Sequence, residues 1–166
     1  DEENSDYNAT FEALREKYGN KIAPVVVPIW NEGKKVTGII DVLNKRAYEM
    51  QNGKRVEIDI PEGKEAVITE FNDALKESVA ETSEEFMDKF FGGEDFTYAE
   101  MIQGLRQGVR ELSLFPVLCG SAVNTMGSLM LMDYIVDLLP NPMEGNYHKA
   151  TRQDGETEPF VVSPGG

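Results

Sequence analysis

Apolar residues follow two different periods along this chain, and the change of period divides it. Phe11, Leu14 and Tyr18 recur at helical spacing within residues 10–18, and Gly19 follows as a C-cap. The run Ile22-Ala23-Pro24-Val25-Val26-Val27-Pro28-Ile29-Trp30 is β-branched and apolar. Its two prolines confine it to an edge position or to a strand with interrupted pairing. Asn31-Glu32-Gly33-Lys34 reads as a hairpin turn that returns through residues 36–43. Two further short strands, 46–50 and 55–60, flank the turn Gln51-Asn52-Gly53-Lys54. A four-stranded antiparallel sheet is the economical reading.

After Pro61 the period changes from 2 to 3.6. Residues 64–81 place Ile68, Phe71, Leu75 and Val79 on one helical face. Two more helices open with capping boxes, Thr82-Ser83-Glu84-Glu85 and Thr97-Tyr98-Ala99-Glu100, and Gly92-Gly93 separates them as a plain turn. Ser113-Leu114-Phe115-Pro116-Val117-Leu118-Cys119 is a short, nearly continuous apolar strand of the type buried on both faces of a parallel sheet. Gly120-Ser121-Ala122 ends it, and residues 126–139 form the last helix. There Leu131, Ile135 and Leu138 are expected to face a core, with Asp133 and Asp137 on the wet side. Pro140-Asn141-Pro142 stops that helix, and the polar remainder reads as a linker. The fold class is α+β: an antiparallel sheet packed by helices, plus a strand–helix remnant of a parallel sheet.

Charge changes the picture more than length does. Over 166 residues, 30 acidic side chains face 16 basic ones, for a net charge of −14. Acid in that excess repels phosphate backbones, so direct nucleic-acid binding by this chain is not expected. A single cysteine, Cys119, excludes an internal disulfide and a Cys-based zinc site, which fits a reducing cytoplasm. No apolar run approaches the length of a membrane span. The chain starts at Asp1 rather than Met, as an excised piece would.

Catalytic constellations are missing. His148 is the one histidine, and it lies in the tail. There is no G-x-x-x-x-G-K-[ST] run. Cys119 at a strand end reads as a small buried hydrophobe rather than a nucleophile. Trp30 and the methionines of residues 126–132 read as packing. Two features remain. Strand, Gly120-Ser121-Ala122, then Gly127 and a helix form a tight loop where doubly wound sheets bind ligands, beyond the carboxyl end of a strand. Such a loop aims backbone N–H groups at a purine O6 while the serine hydroxyl braces the turn. Separately, Glu70, Asp73, Glu77 and Glu81 recur at helical spacing as one acidic stripe opposite the apolar face, with Lys76 the nearby base.

The run Pro116-Val117-Leu118-Cys119-Gly120-Ser121-Ala122, the gap to Gly127, and the stretch 133–140 closing on Pro142 resemble the end of the GTPase domain of bacterial elongation factor G. Residues 81–90, then Gly92-Gly93-Glu94 and Phe96-Thr97, are similar to that family's stretch between two helices. Residues 24–29, their turn and Gly38-Ile39-Ile40-Asp41 resemble the sheet of its inserted G-prime subdomain. Asp1-Glu2-Glu3-Asn4-Ser5-Asp6-Tyr7 resembles the stretch after the N-K-x-D guanine motif, with Asp1 as the motif's aspartate. Where the family carries a basic, leucine-bearing stretch after Ser-Ala, Val123-Asn124-Thr125-Met126 is neutral here.

The resemblance implies a division of the chain. Residues 1–20 would continue a GTPase domain, 21–112 would be the inserted subdomain, 113–142 would close the GTPase domain, and 143–166 would lead into a missing β-barrel. It implies a parent that binds GTP or GDP with Mg²⁺, hydrolyses GTP on the ribosome and drives translocation in the cytoplasm. The phosphate loop and switches would precede residue 1, leaving this piece inactive alone. Ser121, Ala122 and Asp1 would contact guanine, and the stripe Glu70, Asp73, Glu77 and Glu81 would face the ribosomal stalk protein. A ribosome-protection or release-factor GTPase, and a free-standing acidic adaptor without a nucleotide, are the alternatives.

Overall fold

A computed structural model describes residues 5–31, 35–141, 144, 149–151, 155 and 157–159. Helix α1, Tyr7–Tyr18, opens where the Asp6 carboxylate accepts from the Ala9 amide at 2.9 Å and closes at Gly19, whose φ of 65° a side chain would resist. Strands β1 (Ile22–Trp30), β2 (Val36–Asp41), β3 (Arg46–Gln51) and β4 (Lys54–Ile58) then run antiparallel in sequence. Asn52 and Gly53, both at positive φ, form the two-residue turn between β3 and β4. Helices α2 (Glu65–Ala80), α3 (Glu84–Phe91) and α4 (Tyr98–Arg110) follow, then β5 (Phe115–Leu118) and α5 (Ser128–Leu138).

The sheet holds five strands in the order β4-β3-β2-β1-β5, and β5 lies parallel to β1. The three intervening helices supply the long crossover that a parallel return requires. The strand read as a remnant of a parallel sheet thus finds a parallel neighbour, β1, inside the chain. Yet β5 is not buried on both faces. Phe115 is 47% exposed and the other three residues are half-buried, because one strand alone pairs with β5 among the described residues. β1 sits between two partners, and its pairing breaks register between Pro24 and Val26 and again between Ile29 and Trp30, the interrupted strand that its prolines demand.

The core joins Val25, Val26 and Val27 of β1 to Ile40 of β2, Leu75 of α2, Leu105 of α4 and Leu114 before β5, all fully buried. Each such side chain contributes on the order of 1.5–3 kcal/mol relative to exposure. α2 turns Ile68, Leu75 and Val79 inward, as its period predicts. α5 differs from expectation. Met130, Tyr134 and Leu138 face the core, while Leu131 and Ile135 are nearly half exposed and Met132 lies open. The tail also differs from a plain linker, since β6 (Lys149–Thr151) pairs antiparallel with β7 (Thr157–Pro159). His148 and Asp1 fall outside the described residues.

Candidate functional site

The loop from Cys119 to Gly127 is closed by its own backbone. The Cys119 amide donates to the Val26 carbonyl at 3.0 Å, which pins the end of β5 to β1. The Ser121 amide donates to the Met126 carbonyl at 2.9 Å, and the Asn124 amide donates to the Ser121 hydroxyl at 3.2 Å. The serine thus braces the turn. Gly127 caps α5 at a φ of 77°, and a Cβ there would lie 2.8 Å from the Cys119 carbonyl oxygen. The backbone approaches itself too closely at this point for any side chain.

This closure separates the two residues assigned to a base contact. Ser121 is buried, and its amide is already spent on Met126. Ala122 is exposed, and its amide makes no hydrogen bond among the described residues. An unspent backbone donor is the kind of group from which a carbonyl oxygen accepts. No group of three His, Cys, Asp or Glu among the described residues is arranged to hold a metal ion.

Cys119 borders this loop. Burial pushes its thiol up to about 12, so at neutral pH it stays protonated and weakly nucleophilic. That agrees with a packing role.

The acidic stripe is less bare than its sequence pattern suggests. Glu77 meets Arg15 of α1 at 3.4 Å, and Glu81 accepts from the Asn20 side chain at 3.0 Å. Lys76 lies 3.8 Å from Asp73 but bonds Asp95 at 2.7 Å. Glu70 makes no ion pair among the described residues. Local spacing identifies Lys76 as the nearby base and misses Arg15, which arrives from 62 residues away. Glu70 and Glu81, both exposed, are the members of the stripe without an ion pair among the described residues.

A buried polar cluster went unseen in the sequence. The Tyr134 hydroxyl donates to Asp41 Oδ1 at 2.7 Å, and both residues are about 95% buried. The Asn44 amide and side chain also donate to Asp41, at 3.0 and 2.8 Å. Burial first, then the Asp41 charge, pushes the Tyr134 phenol far above its usual range, so it remains a donor. Close by, Arg55 bonds Asp133 at 3.1 Å. A carboxylate inside the apolar run Gly38-Ile39-Ile40-Asp41-Val42 was the available signal.

No helix among the described residues is long and apolar enough to cross a membrane. No family model matches the chain. An elongation factor G-like protein of Thermotoga maritima is 34% identical over 98% of this chain and 24% of its own length, so the chain spans about a quarter of that relative. A crystallised protein of Thermus thermophilus superposes with a TM-score of 0.75 at 32% identity, covering 84% of this chain and 21% of that one.

Proposed function

From the premise that this chain is homologous to one segment of the elongation factor G-like proteins, we propose that it serves a cytoplasmic, ribosome-associated translational GTPase by completing its guanine site and carrying a partner surface. The parent binds GTP with Mg²⁺ and couples hydrolysis to translocation. Within this segment the Ala122 amide donates to the base, Ser121 holds the turn that presents it, and Asp1 reads the opposite base edge. The stripe Glu70, Asp73, Glu77 and Glu81 faces lysines of the ribosomal stalk protein. The segment does not reach nucleic acid or membrane itself.

The observation that carries this reading is the unspent Ala122 amide on a braced loop at the carboxyl end of β5, parallel to β1. That is where open α/β sheets take ligands. In this class of enzyme, affinity and catalysis rest on the phosphate cradle and Mg²⁺ rather than on the base contact. The segment alone is therefore expected to show no useful heat of binding with GTP or GDP by calorimetry. A micromolar constant would overturn the reading.

A further inference from the structure

We propose that Asp41 and Tyr134 are positioning residues: their buried hydrogen bond clasps α5 to the end of β2 and holds the loop 119–127 in the shape that presents Ala122. The role rests on reading that loop as the base contact. Asp41 is a buried carboxylate with three neutral donors and no basic partner among the described residues. Desolvating such a charge is costly, and an apolar side chain would glue a helix to a sheet with less loss. What a carboxylate supplies instead is direction. Its two oxygens take fixed donors at fixed distances, and one of those donors is the Tyr134 hydroxyl that α5 sends into the core.

The connection from clasp to loop is short and stiff. Tyr134 stands on the second turn of α5, whose N-cap Gly127 is the last residue of the loop. The Leu131 amide donates back to the Gly127 carbonyl at 2.8 Å, and Met126 and Met130 lie buried beside it. A rotation of α5 about its axis moves Gly127, and the Ser121–Met126 bridge closes on the residue just before it. The other side of the clasp is equally fixed. The Val42 amide donates to the Val25 carbonyl at 3.0 Å, and Asn72 of α2 donates its side-chain amide to the Val42 carbonyl at 3.1 Å. The end of β2 is thus gripped by β1 and α2, and α5 takes its position from it.

Hydrogen–deuterium exchange by NMR on the full chain tests the clasp. Tyr134→Phe removes one oxygen and no packing volume. It is expected to speed exchange of the Ser121 and Leu131 amides by about tenfold or more, the loss of one hydrogen bond to a charged group. The Val26 and Ile40 amides should not change. Asp41→Ala should give the same local pattern, and the double variant should be no worse at the loop than either single one. Equal acceleration at all amides would mean a merely structural bond, and unchanged loop amides would mean the loop holds itself; either overturns the proposal. Neither measurement uses a nucleotide. A micromolar constant for GTP or GDP in the calorimetry overturns the base-contact reading alone, whereas unchanged loop exchange removes the clasp alone.

Discussion

Replacing Gly127 by alanine separates two costs that glycine avoids in this loop. The first is conformational: at a φ of 77° an L-residue sits in the left-handed region, at about 1–2 kcal/mol. The second is spatial. The new methyl would lie 2.8 Å from the Cys119 carbonyl oxygen and 3.2 Å from the Gly120 Cα. Both neighbours are backbone, fixed by the Cys119–Val26 and Ser121–Met126 hydrogen bonds, so the strain cannot be relieved by a rotamer change. Overpacking of that kind costs about 1–3 kcal/mol. Gly93 provides the control. It has a φ of 72°, with nothing within 4 Å of its Cβ position. Gly93→Ala therefore carries the conformational cost alone, about 1–2 kcal/mol, and Gly127→Ala carries about 2–5 kcal/mol. Urea unfolding followed by the fluorescence of the single tryptophan, Trp30, measures both variants. Gly127→Ala should have the lower midpoint by a clear margin at an unchanged m-value. Equal midpoints for the two variants would refute the claim that the loop is closed against its own backbone.

Two other predictions concern charge. The Lys89 ammonium at 2.6 Å, with further bonds from Thr97, holds the Glu100 carboxyl down at about 2. A carboxyl lowered in the folded state adds stability above its unfolded pKa of about 4.3, and that stability is lost as pH falls toward about 2. Glu100→Gln should thus be less stable than wild type at neutral pH, with the difference shrinking across that acid window in urea titrations; a difference independent of pH would contradict the assignment. The second concerns the stripe. Reversing Glu70, Asp73 and Glu77 to lysine should abolish binding to the stalk protein in a pull-down while leaving circular dichroism unchanged, and wild-type binding should weaken steeply from low to physiological salt. Wild-type-like binding by the triple variant would make the stripe a solvated face.

Local chemistry was legible wherever a residue acts on its near neighbours. Asn52-Gly53 marks the β3–β4 turn, and Thr97 with Glu100 marks a capping box in which both hydrogen bonds form. The cap expected one helix earlier lies one residue further on. Ser83, not Thr82, caps α3 by accepting from the Phe86 amide, because the Thr82 hydroxyl turns back to the Val79 carbonyl at 2.7 Å. Only Thr82 has a glutamate three residues on, Glu85, so the pattern favours it, and the sequence does not show that the preceding helix claims its hydroxyl. The β1–β5 pairing was beyond reach for a different reason. Both strands read as apolar runs, and nothing within either names a partner across three helices.

Helix α5 shows where pattern reasoning stops and what carries it further. Successive residues advance by 100°, so Leu131, Ile135 and Leu138 form one apolar series and Met130, Tyr134 and Leu138 another, the two offset around the axis but sharing Leu138. Asp133 and Asp137 mark one strip of the helix; the first series lies opposite it, whereas Met130 of the second falls about 20° from Asp137. The hydrophobic period alone therefore favours the purely aliphatic series, whose Leu131 and Ile135 the structure leaves nearly half exposed. The choice is made by the one amphipathic side chain. A phenol turned toward a core requires a partner for its hydroxyl, whereas a leucine requires none. A partner was visible in outline: Asp41 interrupts an otherwise apolar strand end, and a carboxylate placed there requires donors in turn. Two unmet polar demands, 93 residues apart, satisfy each other at 2.7 Å. Pairing such demands across the sequence, rather than extending the hydrophobic period, is the step that sets the rotation of α5 and, with it, the loop that α5 caps.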